Sequence, residues 1–122
     1  MYQIMVEDVF SSAHQLIGYE GKCENLHGHT FKVQILLSGE NLDDLGMLFD
    51  FKRAKLLLKD TLEEFDHKNL NTLPFFAKEN PTAENIAKQI FFSLSDKISK
   101  EKIKLEKVIV WESEKSCAIF TL

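Results

Sequence analysis

Apolar and polar residues alternate at both ends of the chain and recur at spacings of three and four in its middle. The cleanest alternation lies in HGHTFKVQILLSGE, residues 27–40. Phe31, Val33, Ile35 and Leu37 fall on one face, with Thr30, Lys32, Gln34 and Ser38 on the other. That period of two predicts a half-buried strand. YQIMVEDVFSSAH, residues 2–14, is β-rich and ends in small polar residues, so it reads as a preceding strand. The intervening QLIGYEGKCEN contains Gly18 and Gly21 and reads as a loop, and GENLDDLG as a turn. DFKRAKLLLKDTLEEF, residues 50–65, carries Phe51, Ala54, Leu58, Leu62 and Phe65 as one helical stripe, with Asp50 as its cap. A second helix is predicted to start at Thr82 after Pro81, burying Ala83, Ala87, Ile90, Phe91, Leu94 and Ile98. Residues 66–81 form an irregular connection, long enough that function is expected of it. LEKVIVWES and SCAIFTL, joined by a polar turn near Glu114 and Lys115, supply two closing strands.

The order β-β-α-α-β-β predicts an α+β fold: a four-stranded antiparallel sheet with both helices on one face. Leu36 interrupts an otherwise polar face, and KVIVWES is apolar on both sides. An under-covered sheet of this kind predicts self-association through edges or faces. The length of 122 residues suits one domain spanning 1–122. No apolar run reaches the roughly 18–20 residues of a membrane span, and MYQIMVEDVF does not read as a signal peptide. A cytoplasmic protein is expected. The formal net charge of −4 and the scattered lysines argue against nucleic acid as a partner. KISKEKIKLEK reads as a solvated connector rather than a phosphate site. In a reducing compartment Cys23 and Cys117 are expected to be free thiols rather than a disulfide. Cys117, in an apolar terminal strand, is expected in the core. Cys23, in a loop beside histidines, is the candidate for chemistry.

Only four histidines occur in the chain, and two of them, His27 and His29, are two apart at the start of a predicted strand. Alternate strand residues share a face, with Cα atoms about 6–7 Å apart, so both imidazoles can reach one ion. Gly28 between them is expected to let the backbone bend. His14 ends the first strand, and a hairpin brings that end to the start of the second. Three neutral imidazoles without a fourth protein ligand form the open, catalytic pattern of zinc. Cys23 as fourth ligand would make the site structural instead, and a metal-free histidine pair is the third possibility. Asp66 directly precedes His67 at the predicted helix end. The pair can form an acid–base relay, or His67 can simply complement the helix dipole. Cys23 lies beside Lys22 and near any bound cation, which favours its thiolate as nucleophile or base. Glu112 closes the row Val108, Val110, Glu112. It can face a pocket and accept hydrogen bonds from a planar N–H edge, or stand in solvent at a strand end.

Assembled in order, FSSAHQL, CENLHGHTFKVQ, GMLFDFKRAK, EFDHKNLN, NPTAENIA and VWESEKSCAIF resemble the family of 6-pyruvoyl- and 6-carboxy-tetrahydropterin synthases. The resemblance runs through nearly the whole chain. It implies the tunnelling fold (T-fold), in which β-β-α-α-β-β units join their sheets into an oligomeric barrel. The assembly it implies is a homohexamer, a dimer of trimers with sites between subunits. It implies Zn2+ on His14, His27 and His29, Cys23 as catalytic base, Asp66 and His67 as its proton relay, and Glu112 as the anchor of the pterin ring. The spacing Cys-x3-His-Gly-His looks like the bacterial 6-carboxy-tetrahydropterin synthases of queuosine biosynthesis. Animal biopterin enzymes tend to place the cysteine further away, and a folate-feeding branch carries Glu in its place, here the neighbouring Glu24. The implied substrate is 7,8-dihydroneopterin triphosphate. The implied products are 6-carboxy-5,6,7,8-tetrahydropterin, acetaldehyde and triphosphate, made by a carbon–oxygen and carbon–carbon lyase. Triphosphate elimination with an intact side chain, and a non-catalytic zinc-stabilised oligomerisation module, are the alternatives. The chain has no Gly-rich dinucleotide fingerprint, in keeping with an internal redistribution of hydrogen.

Overall fold

Two thirteen-residue strands, β1 (Tyr2–His14) and β4 (His27–Gly39), pair antiparallel without a break from Tyr2↔Gly39 to His14↔His27. The computed structural model describes residues 1–20 and 25–122, together with the backbone of Lys22 and Cys23. Between the long strands lie two short ones, β2 (Ile17–Tyr19) and β3 (Lys22–Cys23), which pair with each other as a separate two-stranded ribbon. The glycine content of this stretch hid them from the pattern. β5 (Lys104–Trp111) pairs with β4, and β6 (Cys117–Phe120) with β5, all antiparallel, giving the sheet order β1-β4-β5-β6.

Helices α1 (Phe51–Leu62) and α2 (Ala83–Ile98) cover one face of this sheet. Both start at the predicted caps: Asp50 accepts from the Lys52 N–H and Thr82 from the Asn85 N–H. Their core sides meet Val6 and Phe10 of β1, Phe31, Val33, Ile35 and Leu37 of β4, and Val108 and Val110 of β5. α2 buries every position predicted for it, and Ile86 besides. α1 departs from its predicted stripe at both ends. Phe51 is 55% exposed, and Leu57 packs inward instead. Phe65 is fully buried but lies beyond the helix, which stops at Leu62. The helix passes into turns in which the Phe65 and Asp66 N–H groups donate to the Leu62 carbonyl, and the chain then changes direction at His67, which adopts a left-handed conformation (φ 55°). Residues 66–81 then run through two short 3-10 turns, Leu70–Thr72 and Pro74–Phe76.

Cys117 is a free, exposed thiol and not the core residue expected from its apolar strand. It pairs opposite Trp111 on the face turned away from the helices, while Phe120 packs on Phe91 with ring centroids 5.1 Å apart. Met5, Val9 and Ile119 are likewise exposed on elements of this sheet, and Lys32 sits 5.1 Å over the Trp111 ring. The uncovered sheet face is thus partly apolar, as the sequence predicts. No helix among the described residues is long and apolar enough to cross a membrane.

Candidate metal centre and proton relay

The register of the β1–β4 ladder decides the geometry of the site. His14 lies opposite His27, and His29 lies two residues along the same strand, so all three side chains leave one face at one end of the sheet. Their ring centroids are 4.7 Å (His14–His27), 5.1 Å (His14–His29) and 4.7 Å (His27–His29) apart, with the planes steeply inclined to one another. Glu112, just past the end of β5, completes the cluster. One ligand atom from each of His14, His27, His29 and Glu112 lies within 4.8 Å of the others, so these residues could hold a metal ion. The Glu112 carboxylate is 3.1 Å from His29 Nε2 and 3.7 Å from His14 Nε2. Sequence reading leaves Glu112 either facing a pocket or standing in solvent; the structure places it both against the imidazoles and on the wall of a cleft.

Two of the rings are oriented by backbone carbonyls. His14 Nδ1 is 2.7 Å from the carbonyl oxygen of Pro81, and His27 Nδ1 is 2.8 Å from that of Asn25. A carbonyl only accepts, so each Nδ1 carries a proton, and in the neutral ring each Nε2 then presents its lone pair. This is the outer support that metal-binding histidines usually have. His14 is nearly fully buried, and its Nε2 has no hydrogen-bond partner among the described residues. A buried lone pair of this kind is costly unless a hydrogen-bond donor or a cation meets it, and with two further imidazoles and a carboxylate converging on it the donor set fits a metal. Gly28 is not needed for strand geometry. An added Cβ there would meet nothing closer than the Ser12 carbonyl oxygen at 3.9 Å. What the missing side chain leaves open is a cleft of about 540 Å³ lined by Ser11, Gly28, His29, Thr30, His67 and Lys68, among others.

His67 and Lys68 reach that cleft because residues 66–69 dock on the edge of β1. The Ser11 N–H donates to Asp66 Oδ1 at 2.8 Å, the His67 N–H donates to the Ser11 carbonyl at 2.6 Å, and the Ala13 N–H donates to the Lys68 carbonyl at 2.9 Å. Ser12 adds a hydroxyl bond to the Phe65 carbonyl. Asp66 Oδ2 lies 2.9 Å from His67 Nδ1, which directs His67 Nε2 outward on a largely exposed ring. The Ser11 N–H, assisted by His67, holds the Asp66 carboxyl below the usual carboxylate range despite an opposing desolvation effect. A carboxyl whose folded-state pKa is depressed stabilises the fold above its unfolded pKa and loses that contribution as pH falls through the folded value. Asp66→Asn should therefore lower stability most above about pH 5, with the gap to the wild type closing toward about pH 3. Urea unfolding across that range measures it; a gap independent of pH would contradict the assignment.

Cys23 pairs through its backbone with Ile17 in the β2–β3 ribbon, but its side chain, like Glu24, lies outside the described residues. The segment leading to it is clamped by side chains standing in for a strand. Asn71 bonds both the N–H and the carbonyl of Gln15, and Asn80 does the same for Ile17, at 2.8–2.9 Å. Sequence reading assigned these asparagines no role. It also missed Glu84, in the first turn of α2, which lines a second cleft with Glu112, Ser116 and Cys117. Two carboxylates around one cleft suit a ring that presents several N–H donors.

The fold and the site together define an α+β protein with a candidate metal centre at one end of its antiparallel sheet. Residues 3–122 match the family described as 6-pyruvoyl tetrahydropterin synthase, and the chain belongs to that family. It is 32% identical to the 6-carboxy-5,6,7,8-tetrahydropterin synthase of Haemophilus influenzae, covering 95% of this chain and 96% of that one. It is 37% identical to the dihydroneopterin monophosphate aldolase of Pyrococcus furiosus, over 73% of this chain and 72% of that one. The structure of Caenorhabditis elegans 6-pyruvoyl tetrahydropterin synthase superposes with a TM-score of 0.85 at 29% identity, covering 99% of this chain and 95% of the other.

Proposed function

We propose that the chain is a zinc-dependent 6-carboxy-5,6,7,8-tetrahydropterin synthase. It would convert 7,8-dihydroneopterin triphosphate and water to 6-carboxytetrahydropterin, acetaldehyde and triphosphate, as a cytoplasmic step of queuosine biosynthesis. The observation that carries this reading is the convergence of His14, His27 and His29, two of them with tautomers fixed to present Nε2. The likeness to the Haemophilus influenzae synthase along nearly all of both chains supports the product.

His14, His27 and His29 would hold Zn2+, which when bound acts as a Lewis acid toward substrate hydroxyls. Cys23 is the base that removes the proton from the side-chain carbon next to the ring. His67, oriented through Nδ1 by Asp66, moves protons through its outward Nε2 as the side chain breaks. Glu112 accepts from the N–H edge of the pterin during turnover and fixes the ring, because proton transfer needs reacting atoms within about 3–3.5 Å. The exposed apolar residues of the sheet, and the edge of β1 beyond its contact with residues 66–69, support assembly into a homohexameric barrel with sites between subunits.

Incubation of the zinc-loaded protein with dihydroneopterin triphosphate, followed by mass analysis, tests the proposal. Acetaldehyde and a 6-carboxypterin in equal amounts are expected. A pterin that has lost triphosphate but kept its three-carbon side chain would assign the chain to the 6-pyruvoyl reaction. A 6-hydroxymethylpterin would assign it to aldol cleavage, and no turnover would favour a structural zinc module.

A further inference from the structure

One stretch of chain serves the edge of β1 and its continuation at every second residue. Alternate strand residues turn their N–H and C=O groups to the same edge, and here those residues are Ser11, Ala13, Gln15 and Ile17. The connection over residues 66–81 reaches each in turn. Backbone groups and the Asp66 carboxylate meet Ser11 and Ala13. Beyond His14, where β1 ends, side chains take over. Asn71 accepts from the Gln15 N–H through Oδ1 and donates to the Gln15 carbonyl through Nδ2, both at 2.9 Å. Asn80 does the same for Ile17, both at 2.8 Å. An asparagine amide offers an acceptor and a donor side by side, as a peptide group does, so each replaces one residue of a missing edge strand. Both are themselves fixed. The Asn71 N–H donates to Asn69 Oδ1 at 3.1 Å in a 3-10 turn. The Asn80 carbonyl accepts from Asn85 Nδ2 at 2.8 Å and from the Thr82 N–H at 2.9 Å, at the start of α2. Among the described residues the ribbon has no core of its own: β2 buries none of its three residues, and a two-stranded ribbon is marginal by itself. Ile17 is the register partner of Cys23, and Gly18 (φ 88°) turns the chain directly after it.

We propose that Asn71 and Asn80 are positioning residues for Cys23. Their amides pin Gln15 and Ile17 to the 66–81 connection and to α2, and so fix where the β2–β3 ribbon carries the thiol. Directional hydrogen bonds do here what apolar burial does for the main sheet. The clamp holds the backbone of the ribbon and leaves its side chains unobstructed, which suits a segment that carries a reacting group. This rests on the reading of Cys23 as the base and adds to it the source of its placement.

Steady-state kinetics on dihydroneopterin triphosphate, zinc content and hydrogen–deuterium exchange are measured for the wild type, Asn71→Ala, Asn80→Ala, Asn71→Asp and Cys23→Ala. Misplacing a reacting group by about 1 Å can cost on the order of 10²-fold in rate, so each alanine variant should lose about 10- to 100-fold in kcat. kcat/KM should fall alike, because the loss lies in the transition state and not in ground-state binding. Exchange should quicken in residues 15–20 while the bodies of α1, α2 and β4 and the zinc content stay as in the wild type. Asn71→Asp has the same shape but sets a carboxylate oxygen against the Gln15 carbonyl, so it should be impaired like Asn71→Ala; a side chain that merely fills space would tolerate it. Unchanged exchange in residues 15–20 would overturn the proposal, as would wild-type kcat in a loosened ribbon, an effect on KM alone, or loss of zinc in step with activity. If any of these appears while Cys23→Ala is inactive, the thiol keeps its role and only the clamp is lost. Full turnover by Cys23→Ala, or none by the wild type, would overturn the clamp and the base reading together. The expected kcat losses with a different product would leave the clamp standing and remove only the assigned reaction. Circular dichroism on each variant checks that the fold survives.

Discussion

His27→Ala is expected to abolish both metal retention and turnover. The substitution removes one of three imidazoles that the ladder register places around a common point. Loss of an outer-shell partner already costs roughly 10- to 100-fold in affinity, and loss of a direct ligand should exceed that. The Asn25 carbonyl would also lose its partner, but it lies near the surface, where water can replace the imidazole. The fold should therefore persist, since the core is built from residues elsewhere. Metal content by atomic absorption and a single-turnover assay measure the two losses. Full activity in a metal-free sample of this variant would contradict a catalytic metal.

Cys23→Ala is expected to separate metal binding from chemistry. If the thiol is the base, the variant keeps zinc and still binds dihydroneopterin, while turnover falls by about 10²- to 10⁴-fold, the usual contribution of a positioned general base. If the thiol is instead a ligand, zinc affinity falls with activity and the site is structural. Zinc stoichiometry alongside the rate distinguishes the two outcomes. The comparison is informative because Cys23 sits in the β2–β3 ribbon, apart from the strands that carry the imidazoles.

Most of the architecture could be read from periodicity, because alternate residues of a strand share a face and helical neighbours recur at three and four. Thr82 and Asp50 cap the helices as their side-chain chemistry requires. The grouping of His14 with His27 and His29 was legible for a similar reason: a hairpin with no break in register brings His14 opposite His27. The contacts that orient the site side chains depend largely on groups that every residue carries. The carbonyls of Pro81 and Asn25, which set two tautomers, have no side-chain signature, and neither has the Ser11 N–H that fixes Asp66. Cys117 was misplaced because an apolar neighbourhood does not say which side of the sheet a residue faces. Phe51 shares the helical spacing of the buried stripe but is the first residue of α1, where it is exposed, and Leu57 packs inward with Leu58 instead. The approach of Glu112 to the imidazoles needed the β4–β5 register and the turn after Trp111, neither of which a single strand pattern contains.

X-ray absorption at the zinc edge of the zinc-loaded protein tests the shared-ion geometry most directly. The predicted spectrum shows three imidazoles at about 2.0–2.1 Å with oxygen completing the shell and no sulfur. A sulfur scatterer at about 2.3 Å would make Cys23 a ligand and contradict a catalytic centre, and fewer than three imidazoles would contradict the cluster itself.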